Sequence, residues 1–210
     1  MIKKHLKILI ITSAVMLLPI LAGVILWDQL PEQIPIHWNM AGEIDDWSSK
    51  SFAVFGLPLI LLAVQWLAVL ATASDPKNKN HSTKILNMIF WLIPVLSIAL
   101  SAVMYSIALG GKVRVEVLLF VLLGLLFVVI GNYLPKCQQS YTIGIKLPWT
   151  LHSEENWNRT HRLAGWLWVI GGFLMMITAF FKILWLVFSI PLMMALIPVI
   201  YSYILHRKGI

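Results

Sequence analysis

Two polar segments hold the residues of this 210-residue chain that could do chemistry. The first is "LPEQIPIHWNMAGEIDDWSSK", residues 30–50, and the second is "GIKLPWTLHSEENWNRTHR", residues 144–162. In the first, His37, Asn39, Asp45 and Asp46 bring an imidazole, an amide and two carboxylates within ten residues. His-x-Asn followed by Asp-Asp is not a zinc ligand spacing, and a hard cation needs a loop that turns several oxygens inward. A hydrogen-bonded loop, with His37 bridging backbone groups, is the simpler expectation, and no metal or other cofactor is expected. In the second segment His152 and His161 lie nine apart, and no His-Glu-x-x-His motif is present. Glu155 and His161 fall on different sides of a helix, so one metal could not easily take both. Ser140, Thr150, Ser153 and Thr160 supply hydroxyls with no visible oxyanion architecture. An enzyme using Glu155 or His161 as acid or base is the alternative to a purely structural segment.

What must position these segments is membrane helix. The chain is 60% hydrophobic and 12% charged, where soluble domains carry about 25% charged residues. Apolar runs stand at 8–26, 52–72, 85–109, 117–134, 163–181 and 183–205. Each matches the ~20 residues that cross a hydrocarbon core, so an all-α bundle of six transmembrane helices is expected. The first run follows Lys3, Lys4 and Lys7 but is longer than a signal-peptide core and has no small-residue cleavage site after it; it reads as a retained helix. Only Lys182 separates the last two runs, which predicts a tight hairpin.

With both termini cytoplasmic, four of the sixteen Lys and Arg residues (Lys50, Lys112, Arg114, Lys182) fall outside and the other twelve inside. This is the positive-inside distribution, and it makes residues 27–51 an extracellular loop and 135–162 a cytoplasmic one. The +7 net charge is then topological, and no direct nucleic-acid partner is implied. No Asp, Glu, Lys or Arg lies within a span, which weakens the reading as a small-solute channel or coupled transporter. Gln65, Asn87 and Asn132 are the polar exceptions, suited to interhelical hydrogen bonds. Cys137 has no intrachain partner and reads as a small buried residue.

Local signals refine the loops. Pro31 and Pro35 keep the outer chain extended, Met40-Ala41-Gly42 reads as a turn with Gly42 at positive φ, and Trp38 and Trp47 suit a membrane interface. In the inner loop Gly144 and Pro148 mark turns. Ser153 can cap a helix whose first turn holds Glu154 and Glu155, and Glu155 and Arg159 pair at i,i+4. That predicts a short amphipathic helix running into the fifth span, with Trp149 and Trp157 as interface anchors.

The stretch "GIKLPWTLHSEENWNRTHRLAG" resembles the signature of the SdpI family of bacterial membrane proteins, and "LPEQIPIHWNMAGEIDDW" resembles the domain of unknown function that commonly precedes it. The resemblance covers essentially the whole chain and implies two parts: residues 1–84, a two-helix unit with the outer loop, and 85–210, a four-helix unit with the inner loop. It carries over Pro31, Pro35, His37, Trp38, Asn39, Gly42, Asp46 and Trp47 outside, and Gly144, Pro148, Trp149, Thr150, Glu155, Trp157, Thr160, His161 and Gly165 inside. Ser140 stands where the family has Asn, and Lys146 where it has Arg, which removes a two-pronged donor from a suspected binding position. The resemblance implies a protein of the bacterial plasma membrane with an immunity and signalling role. It would resist a secreted killing peptide outside and hold a transcriptional repressor inside.

Overall fold

The computed structural model describes residues 2–39, 41–77, 83–181 and 183–210. Its elements are α1 (Ile2–Ile25), β1 (Gln33–Trp38), β2 (Ile44–Ser49), α2 (Leu57–Ala73), α3 (Thr83–Ala108), α4 (Val115–Tyr133), α5 (Pro148–His152), α6 (Glu154–Phe181) and α7 (Leu184–Arg207). A π-helical turn, Phe52–Gly56, leads into α2, and a 3-10 turn, Leu134–Lys136, ends α4. Among the described residues six helices are long and apolar enough to cross a membrane, as the hydropathy pattern predicts. A helix satisfies its own backbone, which lipid cannot do. Lys182, where the tight hairpin between the last two spans is expected, lies outside the described residues.

The outer segment is extended, as Pro31 and Pro35 predict. β1 and β2 form an antiparallel hairpin, pairing Gln33 with Ser49, Pro35 with Trp47 and Trp38 with Ile44. Pairing is irregular between Pro35 and Trp38, where a proline without an N–H interrupts the ladder. At the tip, Asn39 Oδ1 accepts from the amides of Ala41 and Glu43 (2.9 and 3.0 Å), an Asx-type turn, and Gly42 takes φ +80°. Met40 lies outside the described residues.

The chain divides into two compact units. The first comprises residues 1–73 and 86–116. Here Ile34 of β1 is fully buried among Leu30, Ala53, Val54, Met104 and Tyr105, so the hairpin is rooted in apolar packing. Lys50 is buried and donates to the carbonyls of Trp27 (3.3 Å) and Leu30 (3.1 Å) beyond the end of α1. Tyr105 donates to the Pro19 carbonyl at 3.1 Å, and Gln65 reaches Thr12 at 2.9 Å, the interhelical role expected of it.

The second unit comprises residues 74–85 and 117–210. Glycines set its helix spacing. A Cβ on Gly124 would come within 2.6 Å of the Gly172 carbonyl, and one on Gly131 within 2.9 Å of the Gly165 carbonyl. The two pairs repeat every seven residues along α4 and α6, so the helices meet backbone to backbone along one seam. Asn132 is exposed and takes no part in this packing.

Candidate functional site

The inner segment is built from the start of α6. The Ser153 hydroxyl accepts from the Asn156 amide (3.1 Å), a helix cap as the sequence predicts. Glu155 and Arg159 pair on the exposed face at 2.5 Å. The helical period sends Asn156, Trp157, Thr160, His161 and Ala164 to the opposite face, where none is more than 1% exposed. Trp157 is therefore a core residue, which corrects its expected place at the membrane interface.

His161 is held at both nitrogens. Nδ1 lies 2.8 Å from the Trp157 carbonyl, and Nε2 accepts from the Ile145 amide at 2.8 Å. Those partners require a neutral ring with its proton on Nδ1. The imidazole also stacks on the Trp157 indole, centroids 4.0 Å apart, while that indole donates to the Cys137 carbonyl at 2.8 Å. Gly144 closes over the pair at φ +114°, and a Cβ there would sit 2.5 Å from His161 Nε2. Gly144, Trp157 and His161 thus form one interlocked cluster in which both imidazole nitrogens are already engaged.

Thr150 performs a similar task in α5. Its hydroxyl donates to the Ile145 carbonyl (2.9 Å) and accepts from the Leu147 amide (2.9 Å). Its own carbonyl accepts from Gln139 Nε2 at 2.8 Å. Pro148 opens α5, a first-turn position where its missing N–H is harmless. Trp149, half-buried, donates to the Ser202 hydroxyl (2.9 Å) and lies against Tyr203 and His206 of α7. Asn156 Nδ2 donates to the carbonyls of Ser202 (2.9 Å) and Ile210 (3.1 Å), and its oxygen accepts from Thr160 (3.1 Å). An open cleft of ≈ 410 Å³ lies between Trp149, His152, Ser153, His206 and the 209–210 backbone. Lys146 is exposed, its Nζ 3.4 Å from the Thr142 carbonyl.

The loop ahead of this cluster is fastened by Asp75. One carboxylate oxygen accepts from the Ser140 hydroxyl (2.7 Å), the Tyr141 and Thr142 amides (3.0 Å each) and the Thr142 hydroxyl (2.8 Å). The other accepts from the Lys77 amide at 2.8 Å. Burial alone would raise the carboxyl's pKa, but hydrogen bonds from Ser140, Lys77, Thr142 and Tyr141 outweigh it and lower it to about 2. Ser140, the departure from the family's Asn, is thus a working ligand of Asp75.

Outside, His37 meets Asp45 at 2.6 Å, so its partner is a carboxylate and not the backbone. Asp46 lies across the ladder from His37 and accepts from the Trp47 amide at 2.8 Å. Pro35 is buried, Trp38 is half-buried against the first unit's core, and Trp47 is 50% exposed. Of the two expected interface anchors only Trp47 is largely accessible.

Residues 136–202, which contain Ser140, Gly144, Thr150, Asn156, Trp157 and His161, match the SdpI/YfhL protein family. That segment is similar to the family over its matched length. Residues 14–62, with the hairpin, match a domain of unknown function, DUF1648. The chain is 28% identical over 204 residues to the Immunity protein SdpI of Bacillus subtilis (strain 168), an alignment covering 95% of this chain and 96% of that one. No solved structure matches it. Like its relative, it is a multi-pass protein of the cell membrane.

Asp75 and Asn156 are the residues sequence reasoning passed over. The Asp-Pro step at 75–76 signals a turn after a span, and that was the available clue to Asp75. Asn156 carried none, because its partners lie 46 and 54 residues away.

Proposed function

We propose that this chain is an immunity protein of the SdpI family that protects the cell carrying it from a secreted killing peptide. The observation that carries this reading is the end-to-end similarity to the Immunity protein SdpI, which spans the outer hairpin and the inner cluster alike. We place both termini in the cytosol on the distribution of cations, with residues 1–84 and 85–210 working as an outer and an inner module. His37, Asp46 and Trp47, exposed on the hairpin, are the surface offered to the peptide. Tyr141, Lys146 and Glu155, exposed around the inner cluster, are the surface offered to a cytosolic repressor. The engagement of both His161 nitrogens favours this binding reading over acid–base catalysis.

The test is survival. The chain is expressed in a strain sensitive to an SDP-type killing peptide, beside Trp149→Ala and Glu155→Gln variants matched for membrane abundance. Protection by the wild type supports immunity. Loss of protection in either variant places the inner segment in the mechanism, and no protection at full abundance removes immunity as the function.

A further inference from the structure

Within the first unit, three fully buried polar side chains, Thr12, Gln65 and Ser97, lie on the membrane-spanning helices α1, α2 and α3. Gln65 Nε2 on α2 donates to Thr12 Oγ1 on α1 (2.9 Å), and that hydroxyl donates to the Leu9 carbonyl (3.2 Å). Gln65 Oε1 and the Ser97 hydroxyl of α3 have no hydrogen-bond partner among the described residues, although Gln65 is 1% exposed and Ser97 0%.

The register of α1 and α3 brings Ser97 to the level of Thr12. α1 and α3 run in the same direction, since the His5 and Phe90 rings meet at 5.7 Å and Tyr105 reaches the Pro19 carbonyl. Ser97 lies seven residues beyond Phe90, and Thr12 lies seven beyond His5. Seven residues return a helix to within about 20° of the same face, so Ser97 is directed at α1 at the level of Thr12. Thr12 is where Gln65 docks. The surroundings are apolar: Leu9, Val69, Leu86 and Phe90 pack together beside it.

We infer that Thr12, Gln65 and Ser97 form a binding site for a single water molecule in the middle of the span. The guest must donate to an amide oxygen and exchange a hydrogen bond with a hydroxyl, and it must fit between three helices. Water meets all three demands, and buried waters ordinarily serve such otherwise unpaired groups. Exchanging the oxygen and nitrogen of the Gln65 amide would change which atom is orphaned without pairing both. The site lies beside the hairpin-bearing helices and is independent of the immunity reading.

The test uses the full chain, labelled with nitrogen-15 at glutamine, in nanodiscs of deuterated lipid. A Gln65→Met variant identifies the Gln65 side-chain resonance. The expected result is a cross-peak from water to that amide despite slow exchange with bulk deuterium. Ser97→Val, which fills the space with methyl groups, is expected to abolish the cross-peak while helical content is retained. Absence of the cross-peak in the wild type overturns the inference, and so does its persistence in a folded Ser97→Val. If that variant does not fold, the wild-type spectrum decides alone.

Discussion

Asp75 and Ser140 stand 65 residues apart in the chain and 2.7 Å apart in space. Around that contact the carboxylate gathers the 140–142 loop, so a turn after α2 determines where the inner segment begins. The Lys77 ammonium adds a 2.7 Å bond to Gln139, which in turn holds the Thr150 carbonyl.

The first prediction follows from this carboxylate. Its pKa is lowered from 3.8 to about 2 in the folded protein. The stabilisation is therefore complete above about pH 4 and is lost as pH falls through about 2. It amounts to about 2 kcal/mol at neutral pH. Asp75→Asn should lower the unfolding free energy by that order at pH 7 and flatten the difference between pH 4 and 2. Unfolding curves of both proteins across that range check it; parallel acid limbs would assign the titration to another group.

The Gly144–His161 contact makes a second prediction. Gly144→Ala strains a backbone at φ +114° and drives a methyl to 2.5 Å from His161 Nε2. A loss of about 1–3 kcal/mol is expected. His161→Phe keeps the stacking on Trp157 but strands the Ile145 amide, costing about 1–3 kcal/mol, and His161→Gln should recover part of it. Thermal unfolding in detergent, compared with protection at matched abundance, separates the roles. A His161→Gln protein of native stability but no protection would point to chemistry at the imidazole.

Lys50 and Glu32 should respond unequally, although their charged atoms lie 2.8 Å apart. The Lys50 ammonium is buried against the Trp27 and Leu30 carbonyls and 4.9 Å from the Trp27 ring centroid, whereas the Glu32 side chain is 87% exposed. Lys50→Met is expected to cost about 1–3 kcal/mol, and Glu32→Gln less than about 1 kcal/mol. Equal losses would mean that the ion pair, and not the carbonyl contacts, holds the chain after α1.

Cys137 provides a chemical readout of the inner cluster. Burial pushes its thiol pKa up to about 11, leaving little of the reactive thiolate at neutral pH. Maleimide labelling of the native protein at pH 7 should be slow and should accelerate on unfolding. Because the Cys137 carbonyl receives the Trp157 indole, Trp157→Phe should also accelerate it. Rapid labelling of the wild type would show that the 137–142 loop opens on its own.

The sequence by itself determined the six spans, because a run of about 20 apolar residues has one stable arrangement in lipid. It also determined the cap at Ser153, the Glu155–Arg159 pair and the turn at Gly42, since each depends on residues within one helical turn or one tight turn. Tertiary structure decided the rest. Whether Trp157 faced lipid or core depended on Gly144 closing over it. Whether the outer loop became a hairpin depended on Ile34 finding a pocket supplied partly by Met104 and Tyr105 of α3. The importance of Asp75 appeared only when a loop 65 residues away delivered two hydroxyls and two amides to it. Side-chain type and local spacing specify which bonds a residue can make; long-range chain closure specifies which partner arrives to make them.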